Sequence, residues 1–372
     1  MKRNYLSSDS DDEPIFKKRK KQFIPKIKKY CKNINCDHKL YQEDWYDNNK
    51  IEIKEINKLE DLMTLSTFYH CKMRVEYHGI DMKILYNLRP HLQELLDMIG
   101  LLKIKEMILD FLIYFLITKN VNKYKLDPTM LHSVVTGPAG CGKTTFIEIL
   151  AKIYNTLGIL EKGHIVKVKR ADLIGKYTGH TAPATMKKIE EAVGGILLID
   201  EAYSLGNNEQ RDVFSKECID TINQCLSEMK GKFICVIAGY KDALAKSFFK
   251  YNEGLERRFP YKFEIEKYND KELTQILLKK INSNKDYKME FSFNEINKII
   301  EKSFDKFTNQ GGDMETLYYH IQICHNRRVF MLDIEVKNQL LLNDINNALM
   351  RFNTLKSINK LELPESVRHL YI

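Results

Sequence analysis

Gly137-Pro138-Ala139-Gly140-Cys141-Gly142-Lys143-Thr144 fits the spacing GxxxxGK[ST], and its setting decides how the rest of the chain is read. An apolar run, His132 to Thr136, precedes it, and a helix-forming stretch, Thr145 to Leu157, follows. Glycines at these places let backbone N–H groups close around phosphate oxygens, while the start of the next helix adds positive potential. Gly137 through Thr145 are therefore expected to bind a nucleoside triphosphate, with Lys143 on the outer phosphates and the Thr144 hydroxyl on Mg²⁺. At ordinary glycine usage the bare pattern arises by chance in roughly 1% of chains this long, so a plain glycine turn is a poor account of it.

About sixty residues on, Gly195-Ile196-Leu197-Leu198-Ile199-Asp200-Glu201 is an apolar run ending in two acids. Behind a phosphate loop, Asp200 is placed to hold the Mg²⁺ shell and Glu201 to orient and polarise an attacking water. A base for that water must sit outside the metal's own shell, which is why two adjacent acids have different work. Further strands are expected at His164 to Lys169, Lys232 to Ala238 and Tyr261 to Ile265. With the two already named they alternate with helical stretches. Their continuous apolar runs suit parallel strands covered on both faces, a doubly wound α/β domain.

The regions outside this block have different signals. Residues 1–50 hold an acidic, serine-rich patch followed by Lys17-Lys18-Arg19-Lys20-Lys21, and are expected to form a disordered tail. The first thirty residues carry ten Lys or Arg against four acids, six of the nine excess positive charges. Any nucleic-acid contact is thus assigned to residues 17–29, where a nuclear-import signal is the other reading. Residues 51–85 read as a helical extension with Ile53, Ile56, Leu59, Leu62, Met63 and Leu65 on one face, and Leu101 to Lys119 as a long amphipathic helix. From Lys271 the strand signals give way to helical periodicity, so residues 266–372 are expected to form a separate helical domain. The longest apolar stretch, Met107 to Ile117, is too short to cross a membrane. No secretory signal is evident, so the chain is read as soluble and intracellular, in a compartment that the sequence does not specify. The eight cysteines are scattered, as free thiols are. Cys31, Cys36 and His38, with His70 or Cys71, could supply zinc ligands, but without a tight CxxC pair a polar loop is the preferred reading.

The run Ala171-Asp172-Leu173-Ile174-Gly175-Lys176-Tyr177-Thr178-Gly179-His180-Thr181-Ala182-Pro183, then Gly194 through Leu205 and Ile237-Ala238-Gly239-Tyr240-Lys241-Asp242, closely resembles the CbbX and stage V sporulation protein K group of AAA+ ATPases. It is most similar to the versions encoded by large DNA viruses, sharing Met98-Ile99-Gly100, Tyr251-Asn252-Glu253-Gly254-Leu255 and Arg327-Arg328-Val329-Phe330. The resemblance spans about residues 86–335. It implies an AAA+ P-loop domain over 86–265, with a five-stranded parallel sheet between helices, and a C-terminal helical lid. It further implies ATP and Mg²⁺ as cofactors, ATP hydrolysis, and a ring homo-oligomer, a hexamer, acting on a protein client. Ile99 and Gly100 match the adenine-wrapping position, Tyr177 the pore loop that grips a threaded polypeptide, and Arg258 the arginine finger that completes a neighbour's site. Arg257 is the alternative finger.

Two places depart from the wider pattern. Ala238-Gly239-Tyr240 stands where many relatives end a strand in a polar sensor, and Tyr240 is the substitute on offer. Near Gly311-Gly312-Asp313-Met314, Met314 stands where a lid arginine is expected, with Arg327 and Arg328 as basic alternatives. Two other functions are consistent with these residues: a nucleic-acid-associated ATPase anchored by the basic tail, and an ATP-gated scaffold with little turnover.

Overall fold

The computed structural model describes residues 55–67, 69, 76–77, 80–121, 131–206, 212–251, 253–283, 287–333 and 337–359. The basic run 17–29, the expected tail and the Cys31, Cys36, His38, His70 and Cys71 set lie outside the described residues. So does Ile53 of the expected helical face.

Five strands form one parallel sheet: β1 (Ser133–Thr136), β2 (Ile165–Val168), β3 (Ile196–Ile199), β4 (Ile234–Gly239) and β5 (Tyr261–Glu264). Their order is β2-β3-β4-β1-β5. Each falls where an apolar run predicts it, within two residues at either end. Because successive side chains on a strand point to opposite faces, the inner strands feed two separate cores, while the edge strand β5 buries one side only. Val135, Ile196, Leu198, Ile234, Val236 and Phe263 join one, and Val134, Leu197, Ile199, Cys235 and Ile237 join the other. Continuous apolar sequence is therefore required at β3 and β4, where every residue is buried. His132 at the foot of β1 is buried as well, and its Nδ1 accepts the Cys235 N–H at 3.0 Å, tying β1 to β4.

Helices cover both faces. On the first lie α1 (Leu59–Ser66), α2 (Met82–Leu96), α3 (Leu102–Val121) and α4 (Lys143–Thr156). α4 buries Phe146, Ile147, Ile149, Leu150, Ile153 and Tyr154, side chains whose full burial contributes about 1.5–3 kcal/mol each. On the second face are α5 (Thr181–Glu191) and α6 (Val213–Glu228), through Ile189, Cys218, Ile219 and Ile222. The expected boundary at 85/86 falls inside α2. This helix starts where the Asp81 carboxylate accepts the Lys83 N–H, and its buried Met82, Leu85, Leu88, Leu92 and Leu95 share the first core with α1.

The C-terminal region is helical, with α7 (Asp270–Ser283), α8 (Phe293–Lys302), α9 (Gly311–Val329) and α10 (Leu342–Asn359). It also holds a strand pair not foreseen from periodicity, Lys288–Met289 parallel to Gln339–Leu340. Its core is continuous with that of the first face, through Ile265 and Tyr268. Among the described residues no helix is long and apolar enough to cross a membrane.

Candidate nucleotide site

The loop after β1 turns into α4 through glycines in the left-handed region, Gly140 at φ +68° and Gly142 at φ +91°. At Gly140 space is limiting too. A Cβ there would lie 2.1 Å from the Asn309 carbonyl oxygen and 2.8 Å from the Gly312 nitrogen, so the loop lies directly against the start of α9. Lys143 folds back over the loop, donating to the carbonyls of Gly137 at 2.9 Å and Pro138 at 2.7 Å, with its ammonium 5.5 Å from the centre of the Tyr240 ring. The Tyr268 hydroxyl donates to the Cys141 carbonyl at 2.9 Å. Burial, then Cys141 and Glu272, push this phenol up to about 12, so it remains a donor at neutral pH.

The acids stand at the end of β3, across the same cavity. Asp200 pairs with Lys167 at 3.0 Å and Glu201 with Lys169 at 3.5 Å. The two lysines are two residues apart across the end of β2, so their side chains emerge on one face. Glu201 occupies the left-handed region, at φ +54° and ψ +41°, which costs a residue with a Cβ roughly 1–2 kcal/mol. Tyr203 and Tyr240 pack with ring centres 5.6 Å apart beside the acids. Burial, reinforced by Glu201, Tyr240 and Asp200, raises the Tyr203 phenol above its ordinary value.

A cavity of ≈ 1060 Å³ brings together Ala139 to Thr145, Asp200, Glu201, Tyr240 and Ile99. Such a volume suits a nucleotide-sized ligand. Thr144 and Asp200 offer it one hydroxyl and one carboxylate, hard oxygen donors suited to Mg²⁺. That ion is ordinarily held by one or two carboxylates with phosphate and water completing its shell. Among the described residues no group of three or more His, Cys, Asp or Glu could hold a metal unaided.

Other expected residues fall elsewhere. Gly137 and Pro138 act through their carbonyls and do not line the cavity. Gly100 is not in the wall either. It is the left-handed link between α2 and α3, packed where a Cβ would meet the Glu272 carboxylate at 2.7 Å. Neither Arg257 nor Arg258 faces this chain's cavity. The Arg258 guanidinium donates to the Ser227 hydroxyl at the end of α6, and its Nε is buried without a hydrogen-bond partner, whereas Arg257 is exposed. Tyr177 is 68% exposed in the loop before α5, edge-on to His180.

The lid position needs a correction. Met314 is fully buried in the core, and the charged residue of α9 that reaches the cavity is Glu315, one turn beyond Gly311 and Gly312. The helix phase explains it: with α9 starting at Gly311, position 314 faces inward with Leu317 and Ile321, and 315 faces out. Arg328 does not substitute for a lid arginine, because it is bound in two-pronged fashion to Asp344 of α10 at 2.9 Å. Arg327 lies beside it, on a separate cleft. Sequence reading also passed over Tyr203, Tyr268, Lys280 and Glu315. Tyr203 had a signal, its place just after the acids; the lid residues had none, since their contacts join separate segments, 35 residues apart for Lys280 and Glu315 and 127 for Tyr268 and Cys141.

Residues 133–267 match the ATPase family associated with various cellular activities (AAA). A CfxQ-like protein of Acanthamoeba polyphaga mimivirus is 40% identical over 337 residues, 89% of this chain and 80% of that protein. Stage V sporulation protein K of Bacillus subtilis is 39% identical over 152 residues, 41% of this chain and 47% of its own length. CbbX of Cereibacter sphaeroides is 35% identical over 207 residues, 55% of this chain and 65% of its own. The match thus spans about half to two thirds of these two bacterial relatives. Taken with the five-stranded sheet and the loop that follows β1, these similarities show that the chain belongs to the AAA ATPase family, in the group of CbbX, CfxQ and stage V sporulation protein K.

Proposed function

We propose that the chain binds and hydrolyses ATP with Mg²⁺ as a ring oligomer, and uses the cycle to pull on a protein client gripped by Tyr177. The observation that carries this reading is the convergence of Lys143, Thr144, Asp200 and Glu201 on one cavity. Lys143 leaves the loop carbonyls for the outer phosphates, Thr144 and Asp200 hold Mg²⁺, and Glu201 accepts a proton from the attacking water. The adenine lies beside Ile99. Gly100 serves it indirectly, by giving the chain its sharp turn.

The arginines support a shared site. Developing charge on a transferring phosphoryl group calls for a guanidinium, and neither Arg257 nor Arg258 lines this chain's own cavity. In the proposed ring Arg258 comes from the adjacent copy. Its removal should cost hydrolysis about 10³-fold or more while ATP still binds. Specific activity should rise with protein concentration. The test is ATP turnover of the full chain against concentration, for wild type, Lys143→Ala, Arg257→Ala and Arg258→Ala. Equal turnover in wild type and Lys143→Ala would overturn the enzyme, and activity independent of concentration would overturn the ring. Wild type that binds ATP without turnover is what the scaffold reading requires.

The lysine pairs on the acids carry a further expectation. Lys167 is a fixed positive charge competing with Mg²⁺ for Asp200, and it is 46% exposed. Exposed pairs contribute about 0.2–1 kcal/mol, so Lys167→Met should lower the Mg²⁺ concentration for half-maximal turnover by up to about fivefold. A Mg²⁺ titration that gives the same midpoint for both proteins rules the competition out.

A further inference from the structure

Part of the cavity wall is built by the helical region, with Lys279 and Lys280 on α7 and Gly311, Gly312 and Glu315 on α9. A carboxylate is an unfavourable group to aim at a site for a triphosphate. Glu315 is nevertheless there, and Lys280 holds it at 2.7 Å. The other lysine of this wall, Lys279, donates to the Asp97 carbonyl at 2.6 Å, and Lys152 on α4 pairs with Glu94 of α2 at 2.6 Å. Arg328 is occupied by Asp344, and Met314 carries no charge.

Position decides what the pair can reach. The backbone of Gly311 and Gly312 abuts Gly140 of the phosphate loop. Glu315 lies one helical turn further along α9, a rise of about 6 Å. Lys280 spans from α7 to that turn. Its ammonium has three donors on a flexible stem, and both partners are partly exposed, at 43% and 68%, so it can keep Glu315 and still donate to a phosphate oxygen.

We propose that Lys280 is the cation by which the helical region binds the terminal phosphates, and that it also neutralises Glu315, which would otherwise repel them. This rests on the ATP reading above. Three consequences separate it from a merely structural role. Loss of the ammonium should weaken binding in proportion to phosphate charge; removal of the Glu315 charge should offset part of that loss; and an arginine at 280 should preserve binding.

The experiment is equilibrium binding of ATP, ADP and adenosine to the full-length chain, for wild type, Lys280→Met, Lys280→Arg, Glu315→Gln and the Lys280→Met/Glu315→Gln double variant. Lys280→Met is expected to lose about tenfold in ATP affinity, less for ADP and nothing for adenosine, and Lys280→Arg to stay within about threefold of wild type. Glu315→Gln should bind ATP at least as tightly as wild type, and the double variant should regain at least half of the logarithmic loss. Unchanged ATP affinity in Lys280→Met would overturn the proposal. So would an equal loss for all three ligands, or a double variant no better than Lys280→Met. If folded wild type fails to bind ATP at all, the ATP reading falls and this inference with it, whereas binding by wild type with any of the three preceding results sinks the inference alone.

Discussion

Glu201→Gln is expected to lower ATP turnover by about 100-fold or more while leaving ATP affinity within about threefold, the range associated with loss of a positioned general base. The amide keeps the size and the polarity of the carboxylate but cannot take a proton from water. Other consequences of the change are small. The backbone at 201 is already left-handed, and glutamine meets the same conformational cost there as glutamate. The pair with Lys169 is 3.5 Å long and more than half exposed on both sides, so its loss contributes little. Phosphate release measured beside fluorescent-ATP binding separates the two quantities. Turnover above a third of wild type would remove Glu201 from the proposed chemistry.

Gly140→Ala should be the most damaging single methyl group that can be added to the phosphate loop. It imposes two penalties, a left-handed residue with a Cβ and a clash with backbone atoms of Asn309 and Gly312, neither of which can swing aside. Gly158 provides the control, being left-handed at φ +75° with nothing within 4 Å of an added Cβ. Overpacking costs about 1–3 kcal/mol, so Gly140→Ala should melt at a clearly lower temperature than Gly158→Ala. The helical region must also move off the loop, which should weaken ATP binding about tenfold or more. If the two alanine variants melt and bind alike, the loop and the start of α9 are not in contact.

How much of this was readable from sequence depended on how local the signal is. β3 and β4 are encoded by unbroken apolar runs, and the phosphate loop by consecutive residues, so both could be placed without knowing any tertiary neighbour. The acids needed only their position at a strand end. Met314 and Glu315 illustrate the opposite case. Which of them faces the cavity depends on where α9 begins, and that start is set by Gln310, a residue at φ +50° whose side-chain carbonyl accepts the Tyr268 N–H. No periodicity reveals such a start. Lys167 and Lys169 were similarly opaque: their partners become evident only once β2 is known to lie beside β3. The contrast between Arg257 and Arg258 came from Ser227, thirty-one residues before Arg258 in the chain.

Tyr268 holds the Cys141 carbonyl through its hydroxyl and the Gln310 side chain through its peptide N–H. One residue therefore pins both the loop and the root of a 19-residue helix, whose length at 1.5 Å per residue is about 28 Å. A tilt of about 10° about that root would carry the far tip of α9, together with the α7 and α10 surfaces packed on it, about 5 Å. A displacement too small to notice at the loop would become, at the outer end, one of side-chain dimensions.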